Sequence, residues 1–386
     1  MPNSPINSAS ESLPTSGLQL QSLLTSSGDL ALTLEPTDIR PPGANEVVVR
    51  VGAAPVNPSD LGLLLGAADV STAKTVGEGP ARRTTINVPH AGFRAMAARV
   101  DSAMPVGNEG AGVVVAAGED AKALVGKTVA VVGGGMYGQY RTVPSGSCLV
   151  LPDDVTPAEG ASSFVNPLTA LGMTVTMRTE GHSALVHTAA ASNLGQMLNK
   201  ICLEDDVPLV NIVRSAAQAE LLKNIGAHYI CDSTADDFVP GLIEAVSKTG
   251  ATIAFDAIGG GRLASTILTA MESAAARHMT GYSTYGSNVH KQVYIYGGLD
   301  TAPTELTRSF GMAWSVGGWL LTPFLAKIGP TRVAELQARV AAEVKTTFAS
   351  HYTQTITLAD LLKPQVLEAI SRRATGEKYL VVPTEI

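Results

Sequence analysis

"VHTAAASNLGQML", residues 186–198, decides the fold. The pattern predicts that a strand meets a helix here across a turn of small residues, the kind of turn that often receives the pyrophosphate of a dinucleotide. Such a ligand needs backbone N–H groups at a helix N-terminus and a backbone that allows close approach. Ala189, Ala190 and Ala191 are small enough for that, Ser192 can add a hydroxyl, and Gly195 lets the helix pack close to its strand. The usual fingerprint places glycines where this chain has Ser192 and Asn193, so alone the stretch fits a plain tight corner equally well.

Working outward, the text downstream alternates. "SALVHTA", "VPLVNIVRS", "HYICD", "ATIAFDAIG" and "QVYIYGGLD" are apolar strand runs; "NLGQMLNKICLE", "AAQAELLKNIG", "FVPGLIEAVSKTG" and "LASTILTAME" read as helices between them. This alternation predicts a parallel sheet of right-handed βαβ units, the Rossmann pattern. The second strand ends at Arg214 and Ser215, with no acid before Glu220 on the next helix. A site for NAD would place Asp or Glu there to hold the ribose 2′-hydroxyl, whereas an arginine suits a 2′-phosphate. NADPH is therefore the expected cofactor, the plainer alternative being a solvated arginine at a strand end.

Upstream, "LQLQSLLT", "LALTLEP", "EVVVRVGAAPV", "VGNEGAGVVVAAGED", "GKTVAVVGGG" and "CLVLP" are short strands between Gly- and Pro-containing turns, which predicts a compact β-rich lobe. Residues 67–104 have no clear period and are expected to be an insertion or long loop. The polar head, 1–17, is expected to be disordered. "FGMAWSVGGWLLTPFLA", 310–326, approaches the roughly 20 apolar residues of a membrane span but is broken by Gly317, Gly318 and Pro323, and is read as buried helix. The last stretch ends in a strand, "YLVVP", that could return to the first lobe.

At 386 residues, two domains of unequal size are expected. The 27 basic and 34 acidic residues contain no long basic block, so nucleic acid is not an expected partner. Cys148, Cys202 and Cys231 are too scattered for a disulfide framework or a four-cysteine zinc lobe. With no targeting pattern recognised at the N-terminus, the expected location is cytoplasmic, with no membrane association.

The ordered series "APVNPSD", "GNEGAGVVV", "VNPLTALGM", "SNLGQ", "NIVRS", "YGGLD", "GGWLL" and "ATGEKYLVVP" resembles the zinc-independent medium-chain dehydrogenases/reductases, in particular the quinone oxidoreductases and the mitochondrial-type 2-enoyl thioester reductases. The resemblance runs from about Leu18 to the C-terminus. It implies an α/β fold in which a doubly wound Rossmann sheet, residues 166–321, is inserted into a GroES-like β-rich catalytic domain, residues 18–165 and 322–386. It implies Asn166 on the nicotinamide side, Ala191, Ser192, Asn193 and Leu194 at the pyrophosphate, and Arg214 with Ser215 at the 2′-phosphate. Tyr296, Gly297, Gly298 and Leu299 would line the cofactor, as would Gly318, Trp319 and Leu320, with Lys378 closing the site. Taken singly, Tyr296 and Trp319 read equally as core aromatics and Lys378 as a surface lysine.

Where the alcohol dehydrogenase branch would carry zinc ligands, this chain has Asn57 and Asn108, so no metal is expected. Where the thioester reductases carry a proton-donating tyrosine, it has Ala67 and Ala68. Hydride transfer to a quinone, or to the C=C bond of an α,β-unsaturated carbonyl compound, places charge on an oxygen that donors fixed in advance must meet. Asn57 is the first candidate and Thr169 the second; Asp60 is expected to cap the helix that follows it. The expectation is an NADPH-dependent oxidoreductase acting on a small electrophilic acceptor, as a homodimer formed through edge strands of the nucleotide domains. The alternatives are a non-catalytic NADPH-binding sensor or scaffold, and a reductase of carrier-bound enoyl thioesters.

Overall fold

A computed structural model describes residues 13–374 and 376–385. The chain divides into two compact units, the first running to Ser162 and resuming at His351, the second Ser163–Ser350.

The second unit is built on six parallel strands: β1 (Leu185–His187), β2 (Leu209–Val213), β3 (Tyr229–Asp232), β4 (Ile253–Asp256), β5 (Lys291–Ile295) and β6 (Trp314–Gly318). Their spatial order is β3-β2-β1-β4-β5-β6, every neighbouring pair parallel. That is the doubly wound order of dinucleotide-binding sheets. Strands β1, β2 and β4 are buried along their whole length, as a sheet covered on both faces requires. The covering helices are α1 (Val165–Thr179), α2 (Asn193–Glu204), α3 (Ala216–Asn224), α4 (Phe238–Thr249), α5 (Leu263–Ala276) and α6 (Leu321–Ala342). Helix α1 packs on α2 and α6, and α4 packs on α5. Val186, Val210, Ile212, Leu242, Val246, Ile267, Leu268 and Val293 form one continuous apolar core.

The first unit holds two sheets. Strands Ser16–Leu24 and Asp29–Asp38 form an antiparallel hairpin extended on both sides, and Glu46–Pro55 pairs with Glu109–Ala117 and with Tyr140–Pro144 in the other sheet. The last strand, Tyr379–Val381, returns to this unit and pairs antiparallel with Glu46–Pro55, Leu380 opposite Pro55.

Several expectations differ from what is observed. Residues 67–104 are not a featureless loop: Lys74–Val76, Arg83–Asn87 and Ala103–Pro105 join the first sheet, and His90–Ala95 is helical. These strands are three to five residues long, too short for a period to show. The 310–326 stretch is not one buried helix; it holds Phe310, then the half-exposed strand β6, then the start of α6. Of the head, 1–12 lie outside the described residues, and Ser16 and Gly17 already belong to a strand.

The second unit also extends to Ser350 rather than ending at 321. Helix α6, interrupted by non-helical Gly329, continues it: Phe324 packs on Trp319, and Arg339 pairs with Glu204 and Asp205 at the end of α2. Such long-range partners leave no local signal.

Candidate functional site

The turn quoted at the outset is a built corner. The Thr188 hydroxyl donates to Asp256 Oδ1 at 2.7 Å and accepts the Ala257 N–H at 2.8 Å, tying the ends of β1 and β4 together. Ala189 sits at φ +50°, the left-handed conformation that the fingerprint normally gives to glycine. Ser192 is the N-cap of α2, its Oγ accepting the Gly195 N–H at 3.1 Å. A side chain at Gly195 would bring a Cβ within 2.2 Å of the Ala190 carbonyl oxygen, so glycine is required there. The cap takes one first-turn N–H and leaves those of Asn193 and Leu194 ahead of the first intrahelical acceptor. The Asn193 side chain is turned to Ser350 Oγ, 3.1 Å away.

Arg214 follows the end of β2 with an exposed side chain that makes no ion pair among the described residues, while its N–H donates to Gln218 Oε1 at 3.0 Å. Ser215 caps α3 by accepting the Gln218 N–H at 3.3 Å. Beyond β5 and β6 lies an open cleft of about 540 Å³ lined by Ile295, Tyr296, Gly297, Gly298, Gly318, Trp319, Leu320 and Pro323. Six of the expected residues are thereby brought together; Leu299 is not among them. A Cβ at Gly298 or Gly318 would meet nothing within 4 Å, so both glycines leave space open.

Two aromatics frame this cleft and neither is loose. Trp319 Nε1 donates to Thr176 Oγ1 at 3.1 Å and its ring stands edge-on to Phe255. Tyr296 Oη lies 2.8 Å from Nε2 of His187, a fully buried residue whose Nδ1 has no hydrogen-bond partner. Burial pushes the His187 imidazole down to about 3 and the Tyr296 phenol well above its ordinary range, so both are neutral at physiological pH. His187 and Asp256 were not singled out from the sequence. An acid ending an otherwise apolar strand, "IAFD", is the signal that would have found the second.

On α1, Asn166 is half-buried in the first turn, and the Thr169 hydroxyl donates to the Val165 carbonyl at 2.5 Å. With its proton engaged by its own helix, Thr169 offers an acceptor rather than an oxyanion donor.

In the first unit the backbone brings Asn57 and Lys378 to one end of paired strands: the Val56 N–H donates to the Tyr379 carbonyl at 2.9 Å. Asn57 is 2% exposed and its Nδ2 donates to Glu109 Oε1 at 2.7 Å, which leaves one amide proton for another acceptor. Asp60 does not cap its helix through its side chain. Its carboxylate instead accepts the N–H groups of Asn57 and Asn108, both at 2.7 Å, joining two loops. Burial raises it to about 7, against the lowering effect of those amides. Lys378 Nζ donates to Ser162 Oγ at 2.9 Å, and Ser162 shares a 2.9 Å hydrogen bond with the Tyr352 hydroxyl. Burial lowers the Lys378 ammonium to about 8 while the charges of Glu109 and Asp60 hold it up. Glu109, Ser162 and Tyr352 were missed because each gains meaning only from a partner distant in sequence.

Among the described residues there is no group of three or more His, Cys, Asp or Glu placed to hold a metal ion, and no helix long and apolar enough to cross a membrane.

No protein-family model matches the chain. It is 36% identical over 160 residues to the synaptic vesicle membrane protein VAT-1 homolog of Rattus norvegicus, covering 40% of this chain and 39% of the relative. It is 28% identical over 208 residues to the mitochondrial enoyl-[acyl-carrier-protein] reductase of Xenopus tropicalis, 52% of this chain and 51% of the relative. The matches thus span between two fifths and about half of these curated relatives' length. A solved structure of a Mesorhizobium loti protein assigned as an NADPH:quinone reductase superposes with a TM-score of 0.71 at 26% identity, covering 97% of this chain and 100% of that one. The fold and the ordered motifs are similar to those of the medium-chain dehydrogenases/reductases. The solved and curated neighbours include quinone reductases and enoyl reductases.

Proposed function

We propose that this protein is an NADPH-dependent, zinc-independent oxidoreductase that reduces a quinone or the C=C bond of an α,β-unsaturated carbonyl compound. The observation that carries the reading is the capped N-terminus of α2, which follows β1, together with the exposed guanidinium of Arg214 at the end of the neighbouring strand β2, which makes no ion pair among the described residues. This donor set fits a phosphorylated dinucleotide: first-turn amides suit a diphosphate, a bidentate cation suits a 2′-phosphate, and no acid at the end of β2 repels it. Gly298 and Gly318 add no side chain of their own to the neighbouring cleft. The names of the solved neighbours, which include an NADPH:quinone reductase, support the same reading.

The bound nucleotide supplies the hydride. The protein's share is binding, orientation and the stabilisation of charge. Asn193 and Leu194 amides and Ser192 hold the diphosphate, Arg214 and Ser215 the 2′-phosphate, and Tyr296 and Trp319 form fixed walls whose polar atoms are already satisfied. Asn57, rigidly held by Glu109, presents its remaining amide proton to the nicotinamide or to the oxygen that gains charge. The protein is further proposed to act as a homodimer through β6, the edge of the nucleotide sheet, rather than through β5, which lies inside it.

The test follows NADPH absorbance against quinones, enones, enoyl thioesters and aldehydes. Turnover of a quinone or an enone is expected; turnover of aldehydes alone, or of none, overturns the proposal.

A further inference from the structure

Resting on that reading, we infer that His187 is a positioning residue: by holding the Tyr296 hydroxyl it fixes the Tyr296 ring as the wall on which the nicotinamide end of the dinucleotide is laid. The strand order gives the cofactor a direction. Its 2′-phosphate is proposed at the end of β2 and its diphosphate at the end of β1, and the next strands in the sheet are β4 and then β5. Neighbouring strands are about 4.8 Å apart. A dinucleotide lying across the carboxyl ends of the strands therefore carries its other half past β4 toward the ends of β5 and β6. The cleft bordered by Tyr296, Gly298, Gly318 and Trp319 lies there, within the same unit.

His187 ties the two ends of this path together. It closes β1 directly before Thr188 and the diphosphate corner, and its Nε2 lies 2.8 Å from Tyr296 Oη. His187, Phe255 and Tyr294 stand in register on β1, β4 and β5, and Tyr296, two residues beyond Tyr294, faces the same side of the sheet. The Tyr296 N–H still donates to the Asp256 carbonyl at 3.0 Å, so its backbone is fixed.

The side chain has less to hold it. Gly297 and Gly298 follow without side chains, and the ring borders the open cleft. Trp319, which borders the same cleft, has Thr176, Phe255 and Phe324 as partners. Among the described residues the Tyr296 side chain has one hydrogen bond, to His187, backed by a stacked contact with ring centres 5.8 Å apart and planes at 20°. His187 is fully buried and neutral, so its Nε2 can accept the phenol proton; the reverse arrangement would leave that proton without an acceptor. With its proton spent on this bond, Tyr296 offers the cleft a ring and not an acid.

The experiment measures by calorimetric titration the Kd of NADPH and of 2′-phospho-ADP-ribose, which lacks the nicotinamide. Tyr296→Phe keeps the ring and deletes the tether; His187→Phe keeps a flat ring in the core and deletes the acceptor. In each, NADPH is expected to bind about 5- to 10-fold more weakly, the worth of one neutral hydrogen bond, while the fragment binds as it does to the unmodified protein. His187→Gln, whose side-chain amide reaches the place of Nε2, is expected to recover most of the loss, and the double variant with both phenylalanines to be no weaker than either single one. Equal weakening of NADPH and the fragment, no weakening of NADPH, or a loss that His187→Gln does not recover overturns the positioning role and leaves the reductase reading in place. Where His187→Phe does not fold, Tyr296→Phe and His187→Gln decide. If the unmodified protein binds neither NADPH nor the fragment, the reductase reading falls and takes the role of His187 with it.

Discussion

Arg214 and His187 show how far a single side chain carries the argument. Arg214 is exposed, so replacing it with alanine should leave folding intact and remove one charge-assisted contact, about 1.5–3 kcal/mol. The expected result in a fluorescence titration is a loss of NADPH affinity of about 10- to 100-fold with little change for NADH. Equal loss for both nucleotides, or none, would contradict the role given to it.

His187 is neutral in the fold because burial depresses it to about 3 from an ordinary 6.5. Between those values the unfolded chain binds the extra proton, so stability is fully present above about pH 6.5 and falls as the pH drops toward 3. His187→Asn should flatten that acid limb in melting curves, and an unaltered limb would show that the imidazole is not the group responsible. The two residues also differ in how they could be read. Arg214 was legible because its position at a strand end is local. His187 was not, because its stacking on Tyr296 joins residues more than a hundred positions apart.

At the scale of the element, the strand-turn-helix corner was readable and its chemistry only partly so. The bounds of α2 follow its periodic text, and Ser192 caps it as such a residue should. Ser192→Ala is expected to cost about 1 kcal/mol of stability through the lost cap, seen as a lower melting temperature. NADPH should restore less of the melting temperature in the variant than in the parent protein, since the same hydroxyl is proposed to serve the diphosphate. Full restoration would confine Ser192 to capping.

Reading failed at elements whose identity depends on a neighbour. The strands within 67–104 are too short to show a period and exist because Asp29–Asp38 and Ser16–Leu24 offer them edges. Strand β6 was hidden in an apolar run that suggested helix, since its pairing with β5 leaves no trace in composition. Asp60, one residue before a helix, looked like a cap, but two loop amides claim its carboxylate first.

For the molecule as a whole, the nucleotide sheet ends at β6, and the proposed dimer joins two such edges. The Ala313 carbonyl and the Trp319 N–H both face β5, so by alternation the N–H of Val316 points away from it. Val316→Pro therefore removes a donor from the free edge without breaking a bond to β5. Sedimentation should give twice the 39.8 kDa chain mass for the unmodified protein and the single mass for the variant, with melting temperature nearly retained. A variant that stays dimeric would move the interface elsewhere.

By itself, the sequence determined the alternation of strand and helix, the corner that suits a diphosphate, the arginine that suits a 2′-phosphate, and the want of metal ligands at Asn57 and Asn108. All of these are local, carried by periodicity and by residue type within a few positions. Only the tertiary structure decided that residues up to Ser350 belong with the nucleotide sheet, that Thr169 spends its proton on its own helix, and that Asn57 and Lys378 share one end of a strand pair. Those facts come from burial and hydrogen bonding between distant segments, and folding brings such partners together without leaving a pattern in either one.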